Sequence, residues 1–170
     1  MIMKESKKVP FIDEVEIFNE TFGKPNNYTP IVPNDKKLTD FVVNFIKEET
    51  DELAEAIENK DIVEVLDAIC DLLYVAVGNA TMVFGLKDKL EAAYAEVQAS
   101  NMSKSCATFE EAAATVEKCN REHGECFSRK VGDRWVVYRA SDFKVMKSVN
   151  YFAPNLKQFF TEEEIQNAKK

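Results

Sequence analysis

The stretch KEETDELAEAIENKDIVEVLDAICDLLYV, from Lys47 to Val75, decides the fold. Leading into it and through its first half, Leu38, Phe41, Val42, Phe45, Ile46, Leu53, Ala56 and Ile57 recur at helical spacing, which predicts a helix from Lys37 to about Asn59. ENKD, from Glu58 to Asp61, is a short connection with Asp61 placed to cap the next helix. That helix is expected from Ile62 to about Phe84, with Gly85 placed to stop it. So short a connection makes the two helices antiparallel neighbours.

The same hairpin carries acids in a pattern. Glu48, Glu49 and Glu52 form EExxE, and residues three or four apart share a helix face. Glu64, Asp67 and Asp71 follow at spacings of three and four, on one stripe. Two facing acidic stripes repel unless cations sit between them. Hard divalent cations such as Mg²⁺ prefer carboxylate oxygen and bridge readily to phosphate. Leu66, Ile69, Leu72, Leu73 and Val75 are expected to hold the second stripe rigid and partly dry. An ordinary solvated face suits Asp51, Glu55 and Glu58. It does not suit Asp67 and Asp71, which interrupt the otherwise apolar VEVLDAICDLLYVAVG, where a buried acid needs a partner. The only Lys or Arg between Leu53 and Gly85 is Lys60, near the hairpin turn.

Around the hairpin, the chain reads as folded and mainly helical. Its 170 residues suit one domain with a small appendage, and 45% hydrophobic content supplies a core. A net charge of -8 argues against a partner such as a nucleic acid polymer or an anionic membrane, since both require a basic footprint. The opening MIMKESKKVPFIDEVEIF has no apolar stretch before a cleavage site, so no signal peptide and a cytoplasmic location are expected. Cys70, Cys106, Cys119 and Cys126 lack CxxC spacing and His123 is the only histidine, which argues against zinc and against a di-iron bundle built on Glu-x-x-His pairs. Reduced thiols are expected, with Cys70 a small core residue.

A first helix is expected from Pro10 to Phe22, with Phe11, Val15, Phe18 and Phe22 near one face, followed by an extended loop, GKPNNYTPIVPND. A further helix should run from Lys87 to about Ala99, with Ser100 to Lys104 leaving its end. FEEAAATVEKCNREHG reads as a more exposed helix, and FSRKVGDRWVVYRASDFKVMKS as an antiparallel hairpin or meander turning at Gly132-Asp133 and near Ser141-Asp142. Trp135, Val136, Val137 and Tyr138 are candidates to pack it on the helical body. The tail ends in a Pro turn and a short helix, with Glu162 to Glu164 in its first turn.

EETDE at Glu48–Glu52, EVLD at Glu64–Asp67, DLLYV from Asp71 and EVQASNMSK from Glu96 to Lys104 occur in one order. In these residues the chain resembles the all-α nucleoside triphosphate pyrophosphohydrolase superfamily: MazG-like enzymes, dimeric dUTPases and phosphoribosyl-ATP pyrophosphohydrolases. The resemblance covers about Phe11 to Lys104, and KVMKSVNYFAPNL is similar to the tail of phage and bacterial members. Two positions depart from the pattern. Ala68 stands where many relatives carry the first acid of a pair, with Asp67 one residue earlier, which leaves open whether Glu64 or Asp67 is a metal ligand. Gln98 stands where relatives often carry His.

The resemblance implies a mainly all-α fold: a MazG-like four-helix bundle completed by self-association as a homodimer or homotetramer, with a small C-terminal β-hairpin. It implies a catalytic helical domain over 1–104, with residues 105–170 packed on it. The implied reaction is attack of water on an NTP or dNTP to give the monophosphate and pyrophosphate, with deoxynucleotides favoured. Glu48 or Glu49 would serve the water; Glu49, Glu52, Glu64, Asp67 and Asp71 would hold Mg²⁺, with Mn²⁺ a substitute; Asn101 and Lys104 would contact phosphates. Phe18, Asn44 and Tyr74 are candidates for the substrate pocket, and Lys147 for a phosphate contact from the tail. Without that context Asn101 and Lys104 read as a helix exit, Phe18 and Tyr74 as core and Lys147 as a solvated lysine. The competing function is a non-enzymatic helical interaction module whose acids line a groove for a basic partner.

Overall fold

The computed structural model describes residues 11–168. Its elements in order are α1 (Phe11–Thr21), α2 (Lys36–Asn59), α3 (Ile62–Leu73), a π-helical segment (Tyr74–Asn79), α4 (Ala80–Phe84), α5 (Lys87–Met102), α6 (Phe109–His123), β1 (Cys126–Val131), β2 (Arg134–Arg139), a 3₁₀ turn (Leu156–Phe159) and α7 (Glu162–Asn167). The fold is mainly α-helical with one small antiparallel hairpin, as expected. Two compact units divide it within α5: Met1–Leu90 with Phe160–Lys170, and Glu91–Phe159.

In the first unit, local chemistry sets the helix ends. Asp35 caps α2 by accepting from the N–H groups of Lys37 and Leu38 (2.9 and 3.3 Å). Asp61 caps α3 in the same way through Val63 and Glu64 (3.0 and 3.3 Å), as its sequence position predicts. Pro10 lies outside the described residues, and α1 begins at Phe11. The expected unbroken helix from Ile62 to Phe84 contains a π turn, in which the N–H of Ala80 reaches the carbonyl of Val75, five residues back. Gly78 sits in that turn against Val15 of α1, and a Cβ there would lie 2.7 Å from the Val15 Cβ. Gly85 ends α4 in the left-handed conformation (φ 65°), pressed against the Thr29 carbonyl. The loop after α1 is tied along α4 by Asn27 N–H to Met82 O (3.0 Å) and Ile31 N–H to Phe84 O (3.1 Å). Lys87 pairs with Asp13 (3.0 Å) and Glu16, and Tyr28 donates to Glu16 (2.9 Å). Val15, Val42, Ala56, Ala68, Val75 and Met82 are buried.

The second unit has its own core of Cys106, Ala112, Cys119, Cys126, Val137 and Met146, with Val116 and Trp135 against it. Its first helix, α5, extends to Met102, so Ser100 and Asn101 lie inside the helix, not beyond it. Thr108 caps α6 by accepting from the Glu111 N–H (3.2 Å). The helix read as exposed buries Ala112, Thr115 and Cys119 beneath the hairpin. β1 and β2 pair from Cys126↔Arg139 to Val131↔Arg134 around Gly132 (φ 60°) and Asp133. Trp135 packs edge-on to Phe109 at 5.1 Å.

Cys70 corrects the sequence reading, for it is exposed, whereas Cys106, Cys119 and Cys126 are buried free thiols. The reason extends to the whole of α3. Within a single chain α3 packs one side on α2 and leaves Ile62, Val63 and Leu66 at 77, 69 and 63% exposure, with Ile69 and Leu73 also open. An apolar run sufficed to predict burial; it did not say which surface would cover it.

Candidate active site

The acidic motifs lie on the antiparallel pair α2 and α3. Glu49 is the one buried carboxylate of the set, at 7% exposure. Burial raises its pKa above the usual carboxylate value, and the negative charges of Asp71, Glu52, Glu48 and Asp67 push it further in the same direction. The charges of four acids on two helices therefore act on Glu49. Glu64 stands in the first, exposed turn of α3.

Asp67 and Asp71 are exposed, which corrects the expectation that they interrupt a buried surface. Their apolar neighbours Leu66, Ile69 and Leu73 are exposed with them, while Leu72 is half-buried and Val75 is buried. The acids are thus open to solvent in the single chain, and only Glu49 bears a desolvation cost. Among the described residues, no three His, Cys, Asp or Glu side chains are gathered closely enough to hold a metal ion. The donor type nonetheless fits a hard cation, being carboxylate oxygen throughout, and the buried Glu49 stands among uncompensated like charges that a cation would relieve.

Of the pocket candidates, the structure brings Phe18 and Tyr74 together, ring centres 5.8 Å apart and edge to face, with the Phe22 ring tilted against Phe18 at 4.5 Å and Lys24 over the Phe18 ring. Tyr74, half-buried at the start of the π segment, has its pKa raised by burial and by Glu14. Asn44 is exposed on α2. Asn101 and Lys104, in the second unit, bond to each other: Lys104 Nζ donates to Asn101 Oδ1 at 2.8 Å. Lys147 of the same unit lies over the ring of Tyr151, 4.3 Å from its centre.

Residues 15–101 match the phosphoribosyl-ATP pyrophosphohydrolase family, from α1 to the last turn of α5. The chain belongs to the phosphoribosyl-ATP pyrophosphohydrolase family. The family lies within the MazG-like all-α pyrophosphohydrolase superfamily, and membership points to a hydrolase of phosphoric anhydride bonds. The family region contains both acidic motifs and Asn101; Lys104, α6, the β-hairpin and the tail lie outside it. A curated relative, "Uncharacterized protein L479" of Acanthamoeba polyphaga mimivirus, is 36% identical over 84 residues, 48% of this chain and 33% of the relative. The match thus spans about a third of that viral protein's length. None of the helices described here is long and apolar enough to cross a membrane.

Proposed function

We propose that this pyrophosphohydrolase acts on nucleoside triphosphates, releasing pyrophosphate and leaving the monophosphate, with Mg²⁺ required and deoxynucleotides of the cellular pool as the substrates. The observation that carries this reading is Glu49: a buried carboxylate facing Asp67 and Asp71 of the partner helix and flanked by Glu48 and Glu52. Such crowding costs stability in a chain that does nothing with it, and it suits one that binds cations.

In this reading Glu49, Glu52, Glu64, Asp67 and Asp71 hold the Mg²⁺, for which Mn²⁺ substitutes. The metal supplies positive charge that neutralises the triphosphate and stabilises the charge developing in the transition state. Glu48 or Glu49 orients the attacking water and takes its proton; the elevated proton affinity of Glu49 is of the kind a general base uses. Asn101 and Lys104 contact phosphate oxygens, Lys104 as a point charge. Phe18 and Tyr74 offer an aromatic pair for the base. The exposed apolar face of α3 is covered by a second copy of the chain, giving a homodimer or homotetramer.

The test is incubation of pure protein with Mg²⁺ and each NTP and dNTP, with products resolved by ion exchange. Monophosphate and pyrophosphate from a subset of nucleotides, dependent on Mg²⁺ and abolished in Glu49→Gln, is the expected result. No turnover of any of them, despite Mg²⁺ binding, favours the helical interaction module with its acidic groove.

A further inference from the structure

The β-hairpin of the second unit has one covered edge and one open edge. On the outer side of β2, Trp135 exchanges backbone hydrogen bonds with Cys106 (2.7 and 2.9 Å), the Val137 carbonyl accepts from the Met146 N–H (2.8 Å) and the Arg139 N–H donates to the Lys144 carbonyl (2.9 Å). Alternate residues of an antiparallel strand turn their backbone groups to opposite sides, so Arg134, Val136 and Tyr138 are the ones that bond to β1, through Val131, Arg129 and Phe127. Cys126, Ser128 and Lys130 therefore turn theirs away from β2. Asn120 Oδ1 accepts from the Cys126 N–H (2.7 Å), but among the described residues no other segment bonds to the outward N–H and C=O groups of Ser128 and Lys130.

Beside that edge runs a groove of about 480 Å³ between α6 and β1. Phe109, Ala113 and Val116 line it from one stripe of α6, with Cys126, Phe127 and Ser128 on the strand side. Phe109 is 55% exposed, and Ala113 is open as well. From Phe109 to Asn120, which closes the helical wall, α6 rises about 16 Å, the length of about five residues of extended chain. β1 contains no acid, and its Arg129 and Lys130 are exposed. Among the described residues, neither has a carboxylate within salt-bridge distance. These are what an added strand uses: a backbone edge for affinity, a trough for alternate side chains and charge for selection.

We propose that this edge takes up an extended segment of another protein as an additional strand, with an apolar side chain in the groove against Ala113 and Val116 and with Asp or Glu at the alternate positions beside Arg129. A second copy of β1 does not suit the edge. The antiparallel pairing that uses the outward groups of both Ser128 and Lys130 sets Arg129 directly opposite Arg129 of the copy, where like charges destabilise. A nucleic acid would answer the charge and leave the backbone edge unpaired. The whole surface lies beyond residues 15–101, so the inference is independent of the hydrolase reading.

The probe is a fluorescein-labelled peptide, Glu-Val-Glu-Ile-Glu-Val-Glu, added to the full chain. Affinity is read by fluorescence anisotropy, and backbone pairing by amide hydrogen exchange in the NMR spectrum. The Ser128 and Lys130 amides should exchange fast in the free chain, and saturating peptide should slow both at least about tenfold. Arg129→Glu should weaken binding about tenfold, by turning an attractive cross-strand pair into a repulsive one, and Arg129→Lys should retain most of it. Ala113→Glu, at an exposed helix position, should weaken it comparably while the circular dichroism spectrum stays that of wild type. N-methylation of alternate peptide amides should abolish binding in one phase and spare it in the other, and lysine in place of every glutamate should abolish it. No binding, binding that leaves the Ser128 and Lys130 amides fast, or equal affinity in wild type, Arg129→Glu and Ala113→Glu overturns the proposal. So does slowing of those amides by a rise in protein concentration alone, which marks self-pairing, or binding of oligodeoxythymidylate with none of the peptide, which marks a nucleic-acid surface.

Discussion

Around Glu49 the charges that act most strongly are all negative and come from two helices, whereas around Tyr151 they are two lysines. The surroundings differ as much as the signs. The acids of α2 and α3 stand mostly open, with apolar neighbours uncovered; the tail beside Tyr151 is bonded at nearly every residue from Ser148 to Phe152. The contrast teaches that a fold spends its hydrogen bonds where irregular backbone must present side chains in a fixed way. Regular helices hold their side chains in register without such help.

The largest effect should come from removing the acid at the centre of the first region. Glu49→Gln is expected to lower turnover by about 10²-fold or more, as loss of a general base does, with substrate affinity changed far less. Steady-state kinetics at saturating Mg²⁺ check this, and a near-wild-type kcat would place the water-activating role elsewhere. Next is the packing that holds the acid-bearing helix. Gly78→Ala must displace Val15 in a buried contact and should destabilise by about 1–3 kcal/mol, read by denaturant unfolding. Leu66→Glu, on the uncovered face of α3, should leave the monomer folded and shift the sedimentation profile to the single chain; unchanged sedimentation would mean that α3 is not the interface.

The smallest effect is a difference of sign with pH. Glu49 binds its proton more tightly folded than unfolded, so in metal-free protein its contribution favours the folded state increasingly as pH falls from neutral through its raised pKa. Glu49→Gln should flatten that slope and raise the melting temperature at neutral pH. Asp142 does the opposite. Its bidentate bonds to Arg139 (2.9 and 2.5 Å) hold it at about 2, so its contribution is present above the ordinary carboxylate range and is lost as pH falls towards that value. Asp142→Asn should therefore narrow the acid limb of the stability profile, seen by melting between neutral and strongly acid pH.

Much of the scaffold was legible because its signals are local. Asp61, Gly85 and Gly132 each act within a few residues, and each stands where the sequence placed it. The acidic spacing was legible as far as each helix goes, since a helix turns three or four residues into one face; the charges of Glu48, Glu52, Asp67 and Asp71 act on Glu49, while among the described residues no three acids are gathered closely enough to hold a metal ion. The rest depended on distant partners. The π turn answers to Val15 on another helix, and no propensity of YVAVGN announces it. Burial along α3 could not be read from Leu66, Ile69 or Cys70, because composition gives the wish to be covered and not the cover. The buried Ser100 finds its partner only when the chain returns with Phe152, whose carbonyl accepts from its hydroxyl.

The π turn makes residue count, as well as residue identity at Gly78, part of the specification of this helix. Ala80 reaching back to Val75 means that one residue more than an α-helix needs is lodged between Tyr74 and Asn79. Losing one of those six would let the ladder close as ordinary α-helix with its two ends still in phase, whereas gaining one more would swing everything before it by about 100° against α4, the angle one residue subtends. Asp67 and Asp71 would then face away from Glu49, or Val15 would lose its seat on Gly78. A lineage can shed the extra residue and keep the helix in phase, but it can neither gain another there nor replace Gly78, which has no room for a Cβ against Val15.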